Sequence, residues 1–149
     1  MIARSFLGEF MSVRIIVDWR DLDDEAGGWD QLRCLYAYWA PDGELLYIGK
    51  AWGKTVRERW RYESKPHYWT DIERDRGIYE HYTSVGTISL ARNQRLTHEL
   101  LADIESLLIH RLQPWGNLQC RRSRIERPGL EVQCRGDWFE RRATYRDAA

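Results

Sequence analysis

The sequence predicts an α+β fold: a small three-stranded antiparallel sheet flanked by helices, with N- and C-terminal extensions. Three observations predict it. Two short apolar and aromatic runs, residues 35–39 and 44–48, flank Pro41-Asp42-Gly43 and read as a hairpin. A stretch rich in Thr, Val and Ile, residues 81–90, reads as the third strand. Leu96, Leu100, Ile104, Leu107 and Leu108 recur at helical spacing and mark a long helix.

The remaining elements follow in chain order. "VRIIVDW", residues 13–19, is β-branched enough to be a strand. "RDLDDEAGGWD" reads as an acidic loop broken at Gly27-Gly28. After the hairpin, Gly49-Lys50 is expected to leave the second arm. "TVRERWRYE", residues 55–63, is a short basic helix with Thr55 as its N-cap. "SKPHYWTDIERDRG" holds a proline and ends at Gly77, so it reads as loop with one or two helical turns. Asn93 caps the long helix and Pro114 stops it just beyond Leu112. On a helical wheel Glu105 lies beside Leu101 and Leu112, at the edge of the apolar arc. Asp103 and Glu99 fall on the opposite, solvated face. "GLEVQC" adds one more strand before a tail expected to fray. The domain limits expected are 1–12 for an N-terminal extension open to disorder, 13–138 for one folded domain and 139–149 for a C-terminal tail. Met11 serves as well as Met1 for a biological start.

Bulk properties exclude some classes of function. At 149 residues the chain holds one domain. Its formal net charge is 0, so any polyanion partner must be held by local patches. No apolar run is long enough for a membrane span, and no signal peptide is legible, which points to a cytoplasmic protein with no membrane partner. Three widely spaced cysteines with no CxxC pair argue against structural zinc and for reduced thiols. The eight tryptophans, several beside arginines, read as core residues with arginines packed over them, or as base-stacking groups.

The chemistry lies in an ordered set of blocks. Tyr36 and Tyr47 stand on the two hairpin arms, and Tyr47-Ile48-Gly49 is followed by Lys50. "VRERW" carries Arg57 and Arg59. "DIESLLIHRLQPWGN" carries Glu105, Pro114 and Asn117. This order and spacing resembles the GIY-YIG nuclease family, including excinuclease-subunit, homing- and restriction-endonuclease catalytic domains. "YIG" is an outright match, and Cys34-Leu35-Tyr36 stands where Gly-Ile-Tyr is usual. "VRERW" is similar to the family's arginine helix, and "DIESLLIHRLQPWGN" to its Glu-x-x-Leu-Ile…Pro-x-x-Asn segment. The resemblance covers residues 35–118.

The resemblance implies a divalent-metal-dependent endonuclease that hydrolyses DNA, single- or double-stranded. It assigns catalysis to Tyr36, Tyr47, Arg59 and Glu105. Tyr36 accepts the proton of the attacking water, Tyr47 positions or assists it, and Glu105 holds Mg²⁺ or Mn²⁺. Counting from Gly49 selects Arg57 in place of Arg59. Tyr62 and His67 are candidates for the family's residue after the arginine. Lys50, Arg57, Arg61 and Asn117 are candidate substrate contacts. Phosphodiester hydrolysis is consistent with that set. A water must lose a proton, and the anionic transition state and leaving oxygen must be stabilised. Mg²⁺ keeps most of its waters, so one carboxylate suffices. An arginine supplies permanent charge in a fork suited to phosphate. A phenol near pKa 10 needs a neighbouring cation or metal-bound water to act as a base at neutral pH. Two other classes compete: a nucleic-acid-binding domain of this fold without turnover, and a protein-interaction module using the tryptophans. Taken singly, Glu105 is a solvated helix residue and Asn117 a backbone-bonding turn residue.

One geometric question decides whether the tyrosines can cooperate. A two-residue turn at Pro41-Asp42 sets Tyr36 opposite Tyr47. A three-residue turn with a bulge slips the register by one and separates them.

Overall fold

The computed structural model describes residues 13–22, 26–61, 65–117 and 127–147. The expected extension 1–12 and the basic run 121–126 lie outside them. The strands are β1 (Val13–Asp21), β2 (Cys34–Trp39), β3 (Leu45–Ala51), β4 (Tyr82–Ser89), β5 (Leu130–Gly136) and β6 (Thr144–Arg146). The helices are α1 (Ala26–Trp29), α2 (Val56–Arg61), α3 (Lys65–Arg76) and α4 (His98–Leu112), and a 3₁₀ turn spans Trp115–Asn117.

The three-stranded antiparallel sheet expected from the sequence is not what forms. The sheet has six strands in the order β3-β2-β4-β1-β5-β6 and curls into a half-barrel. Neighbours are antiparallel except β1 and β5, which run parallel. The physical reason is alternation. β1 buries Ile15, Val17 and Trp19, and β5 buries Leu130, Val132 and Cys134, while the residues between them face outward. A strand with one apolar row must cover it, and both rows join the core beneath α4. The segments on either side of the motif region 35–118 therefore supply half the sheet. The tail expected to fray is likewise held: Tyr145 of β6 is buried, and the Asp147 amide donates to Leu130 O at 2.9 Å.

Two apolar layers result. On one face Leu35, Ala37 and Trp39 of β2 join β1, β5 and the α4 residues Leu101, Ile104 and Leu108. On the other, Cys34, Tyr36 and Tyr38 of β2 pack with Val56 of α2 and Ile72 of α3. All eight tryptophans belong to or pack against these two layers, as expected of core residues. Cys34 is buried in the second layer, and burial pushes its thiol up to about 12.

Local signals set the helix limits. Thr55 Oγ1 accepts from the Glu58 amide at 3.2 Å while Glu58 Oε1 accepts from the Thr55 amide at 2.8 Å, a reciprocal capping box. The one or two helical turns expected within 64–77 extend to the three-turn helix α3. Its Pro66 sits in the first turn, where a proline is tolerated, and Gly77 at φ 64° closes it. Helix α4 starts four residues later than Asn93 implied: Thr97 caps it, accepting from the Leu100 amide at 3.0 Å. Gly27 and Gly28 do not break the chain but lie within α1.

The hairpin answers the register question by slipping twice. Its loop is the three residues Pro41 to Gly43, with Gly43 at φ 95° and the Ala40 amide bonded to Glu44 O. A bulge then follows between Tyr38 and Trp39. The loop moves the register by one and the bulge moves it again. Both Leu46 and Tyr47 thereby turn toward the second layer. Tyr38 faces Tyr47, and Tyr36 faces Gly49. All three phenols end on one face, and the second arm runs on through Gly49-Lys50 to Ala51.

Candidate active site

The site lies at the free edge of β3. Tyr36 and Tyr47 ring centroids are 6.0 Å apart, with Tyr38 at 5.5 and 5.3 Å from them. Gly49 explains how Tyr36 reaches the edge. A Cβ at Gly49 would lie 2.4 Å from the Tyr36 Cζ and hydroxyl, so the ring crosses the strand over this glycine. The glycine of the "YIG" block is needed for a close approach, with no unusual backbone angle.

Arg59 and Glu105 bear on the phenols, and Lys50 bears on Glu105. Burial raises the Tyr36 hydroxyl above its ordinary range; the Arg59 guanidinium opposes this by charge and hydrogen bonding, as does a bond from Tyr47, and Glu105 adds to the rise. Tyr47 is raised by burial first, then by Tyr36 and Glu105, with Arg59 opposing. Glu105, on α4 at the margin of its apolar stripe, is raised by burial, while Lys50 and Arg59 lower it. Lys50 Nζ lies 3.4 Å from Glu105 Oε1. Lys50 faces the α4 side of β3 and the tyrosines face the other, so the group closes around the strand edge.

The remaining candidates are placed as follows. Arg57 turns away: its Nε bonds Asp30 Oδ1 at 3.3 Å, and its guanidinium lies 5.8 Å from the Trp29 ring centroid. Arg59 is the arginine that acts on Tyr36, Tyr47 and Glu105. Asn117 is buried, and its amide is committed to the strand. Oδ1 accepts from Ile48 N and Nδ2 donates to Ile48 O, both at 2.9 Å. It closes the edge of β3 as a neighbouring strand would, in line with its reading as a backbone-bonding turn residue. Tyr62 and the side chains of Arg61 and His67 lie outside the described residues. Asp103, expected on the solvated face, is buried against Arg127.

Two residues of the cluster were not singled out by the sequence. Tyr38 lies between Tyr36 and Tyr47 and packs on Trp69 at 4.9 Å. His81 stacks on Trp69 at 4.0 Å and accepts from Trp60 Nε1 at 3.3 Å through Nε2. Burial lowers its pKa, in keeping with that neutral acceptor role. The available signal was the bulge, which makes Tyr38 the partner of Tyr47.

The donor set suits a hard divalent ion sparingly. Among the described residues no three His, Cys, Asp or Glu side chains gather as a metal cage. Glu105 alone offers a carboxylate, and its burial disfavours the charged form unless a cation faces it. One carboxylate with water and substrate phosphate meets the needs of Mg²⁺, so the residues fit. Among the described residues no helix is long and apolar enough to cross a membrane. Comparison with protein-family models, curated proteins and solved structures finds no match to this chain.

Proposed function

We propose that this chain is a divalent-metal-dependent endonuclease of the GIY-YIG type that hydrolyses DNA phosphodiester bonds. One arrangement carries the reading: the Tyr36 and Tyr47 rings, 6.0 Å apart, share a strand edge with Glu105, which Lys50 meets at 3.4 Å, and Arg59 is the arginine whose charge bears on all three. Glu105 holds Mg²⁺ or Mn²⁺. When bound, the ion supplies positive charge to the phosphate and the leaving oxygen. Arg59 faces the developing anion. Tyr36 takes the proton of the attacking water with Tyr47 aligned beside it. Both phenols are raised by burial, so Arg59, which opposes that rise, must favour the phenolate for either to work as a base.

The test is Mg²⁺-dependent nicking of a plasmid. Glu105→Ala is expected to lower it by about 100-fold or more while the chain still folds. Full activity in that variant sinks the reading. A second reading, a nucleic-acid-binding domain without turnover, is favoured by the full burial of Tyr36. Tight DNA binding by wild-type protein that never nicks with Mg²⁺ or Mn²⁺ selects it.

A further inference from the structure

We infer that Arg33, mounted on Trp52, is a phosphate-binding arm for the DNA strand that enters this site; the inference rests on the nuclease reading. Arg33 stands just before β2 with φ 59°, a left-handed conformation that non-glycine residues rarely adopt. The pairing of Cys34 with Ala51 sets Arg33 beside Trp52, the first residue after β3. Its guanidinium lies 5.1 Å from the Trp52 ring centroid. Trp52 in turn stacks on His98, at 5.3 Å and 27°. Trp52 also packs on the core, so the column has a fixed base and an exposed cation at its tip.

Arg57 and Arg76 also lie against indoles, and each of them pairs with a carboxylate as well. Among the described residues Arg33 pairs with none and rests its flat face on an indole. That contact holds the guanidinium plane and leaves its N–H edge for an anion.

Its position selects a phosphodiester strand. Lys50 and Trp52 are two residues apart at the end of β3 and so face the same side, toward α4. Lys50 meets Glu105, and Trp52 meets His98, seven residues earlier on the same helix. Seven helical residues span about 10 Å, which is about three nucleotides of one strand. One strand laid along α4 would meet the charge at Glu105 and Lys50, then Arg33.

The test uses full-length protein in chelator, so that DNA is bound and not cut. Affinity for a short duplex oligonucleotide is measured between about 50 and 200 mM salt. Glycine suits a left-handed position, so Arg33→Gly is expected to keep or raise Tm. It is also expected to bind about tenfold more weakly and to flatten the log–log salt slope by about 0.9. Arg33→Gln, which keeps a side chain and loses the charge, is expected to flatten the slope equally. Replacing single phosphates by methylphosphonates should weaken wild-type binding about three nucleotides from the cut, and leave Arg33→Gly unaffected there. Unchanged affinity and slope in both variants overturn the inference. If wild type nicks plasmid under those results, only the arm is lost. If both variants flatten the slope but wild type never nicks, only the nuclease reading is lost. A wild-type chain that binds no DNA overturns both.

Discussion

The two halves of the sheet handle charge in opposite ways. β2 is buried along its whole length, with α4 on one face and α2 and α3 on the other. β1 and β5 bury one face only, and their outward residues remain in water. In the open half, Arg14 and Arg146 both pair with Glu131, and the two arginine side chains are 76% and 67% exposed. Such pairs are screened and contribute little. In the covered half, Lys50 and Glu105 form the same kind of pair at a strand edge where burial shifts the carboxylate and both phenols. The Glu131 pairs are surface charge, and the Lys50–Glu105 pair is partly withdrawn from water. The difference lies in what covers the strand.

The largest effect should come from the edge that closes the covered half. Asn117→Ala removes two buried bonds and leaves the Ile48 N–H and C=O without partners. A cost of about 2–4 kcal/mol is expected. In the open half, Arg146→Ala removes an exposed ion pair and should cost about 0.5 kcal/mol or less. Urea denaturation of the two variants checks this. Equal losses would mean that β3 is not held by Asn117, and the contrast between the halves would fail.

A smaller effect, directed at the site, is expected at Gly49. The alanine Cβ would meet the Tyr36 ring at 2.4 Å, and that ring is packed among Tyr38 and Tyr47. Gly49→Ala should cost about 1–3 kcal/mol and abolish nicking. Gly53→Ala meets nothing within 4 Å and should leave both stability and nicking unchanged. Thermal melts paired with plasmid assays separate the two. An active Gly49→Ala protein would show that Tyr36 need not cross the strand there.

Much of this was legible in the residues and some was not. β-Branched content marked β1 as a strand and "GLEVQC" suggested β5, but composition names no partner, so the pairing of β1 with β4 and with β5 went unread. The motif spacing marked Tyr36, Tyr47, Arg59 and Glu105, yet could not choose between Arg57 and Arg59. Direction along a short helix decided that, through Asp30 and Trp29. Tyr38 and His81 were hidden for another reason. Their place in the cluster depends on a bulge and on a three-turn α3 that the proline-containing stretch concealed. Asn117 was visible as a residue and not as an edge cap, because its partner is a backbone 69 residues away.

The smallest expected effect is also the most specific to the covered half. Burial raises the Glu105 pKa above its ordinary 4.5. The folded chain therefore binds a proton more readily than the unfolded chain, and its stability falls as pH rises from that ordinary value through the folded one. Above that window the charged, buried carboxylate opposes folding. Glu105→Gln should then raise Tm by a few degrees at neutral pH, and the gain should vanish as pH falls below about 4. Mg²⁺ should change the comparison, because a cation facing the carboxylate offsets its burial. Wild-type Tm should rise with Mg²⁺, and the Tm of Glu105→Gln should not. Glu131→Gln, on the open half, should show neither the pH-dependent gain nor a difference in its response to Mg²⁺. Melting curves of the three proteins across pH, with Mg²⁺ and with chelator, measure this. A Mg²⁺ response that survives in Glu105→Gln would remove the ion from Glu105 and leave the covered edge as a binding surface.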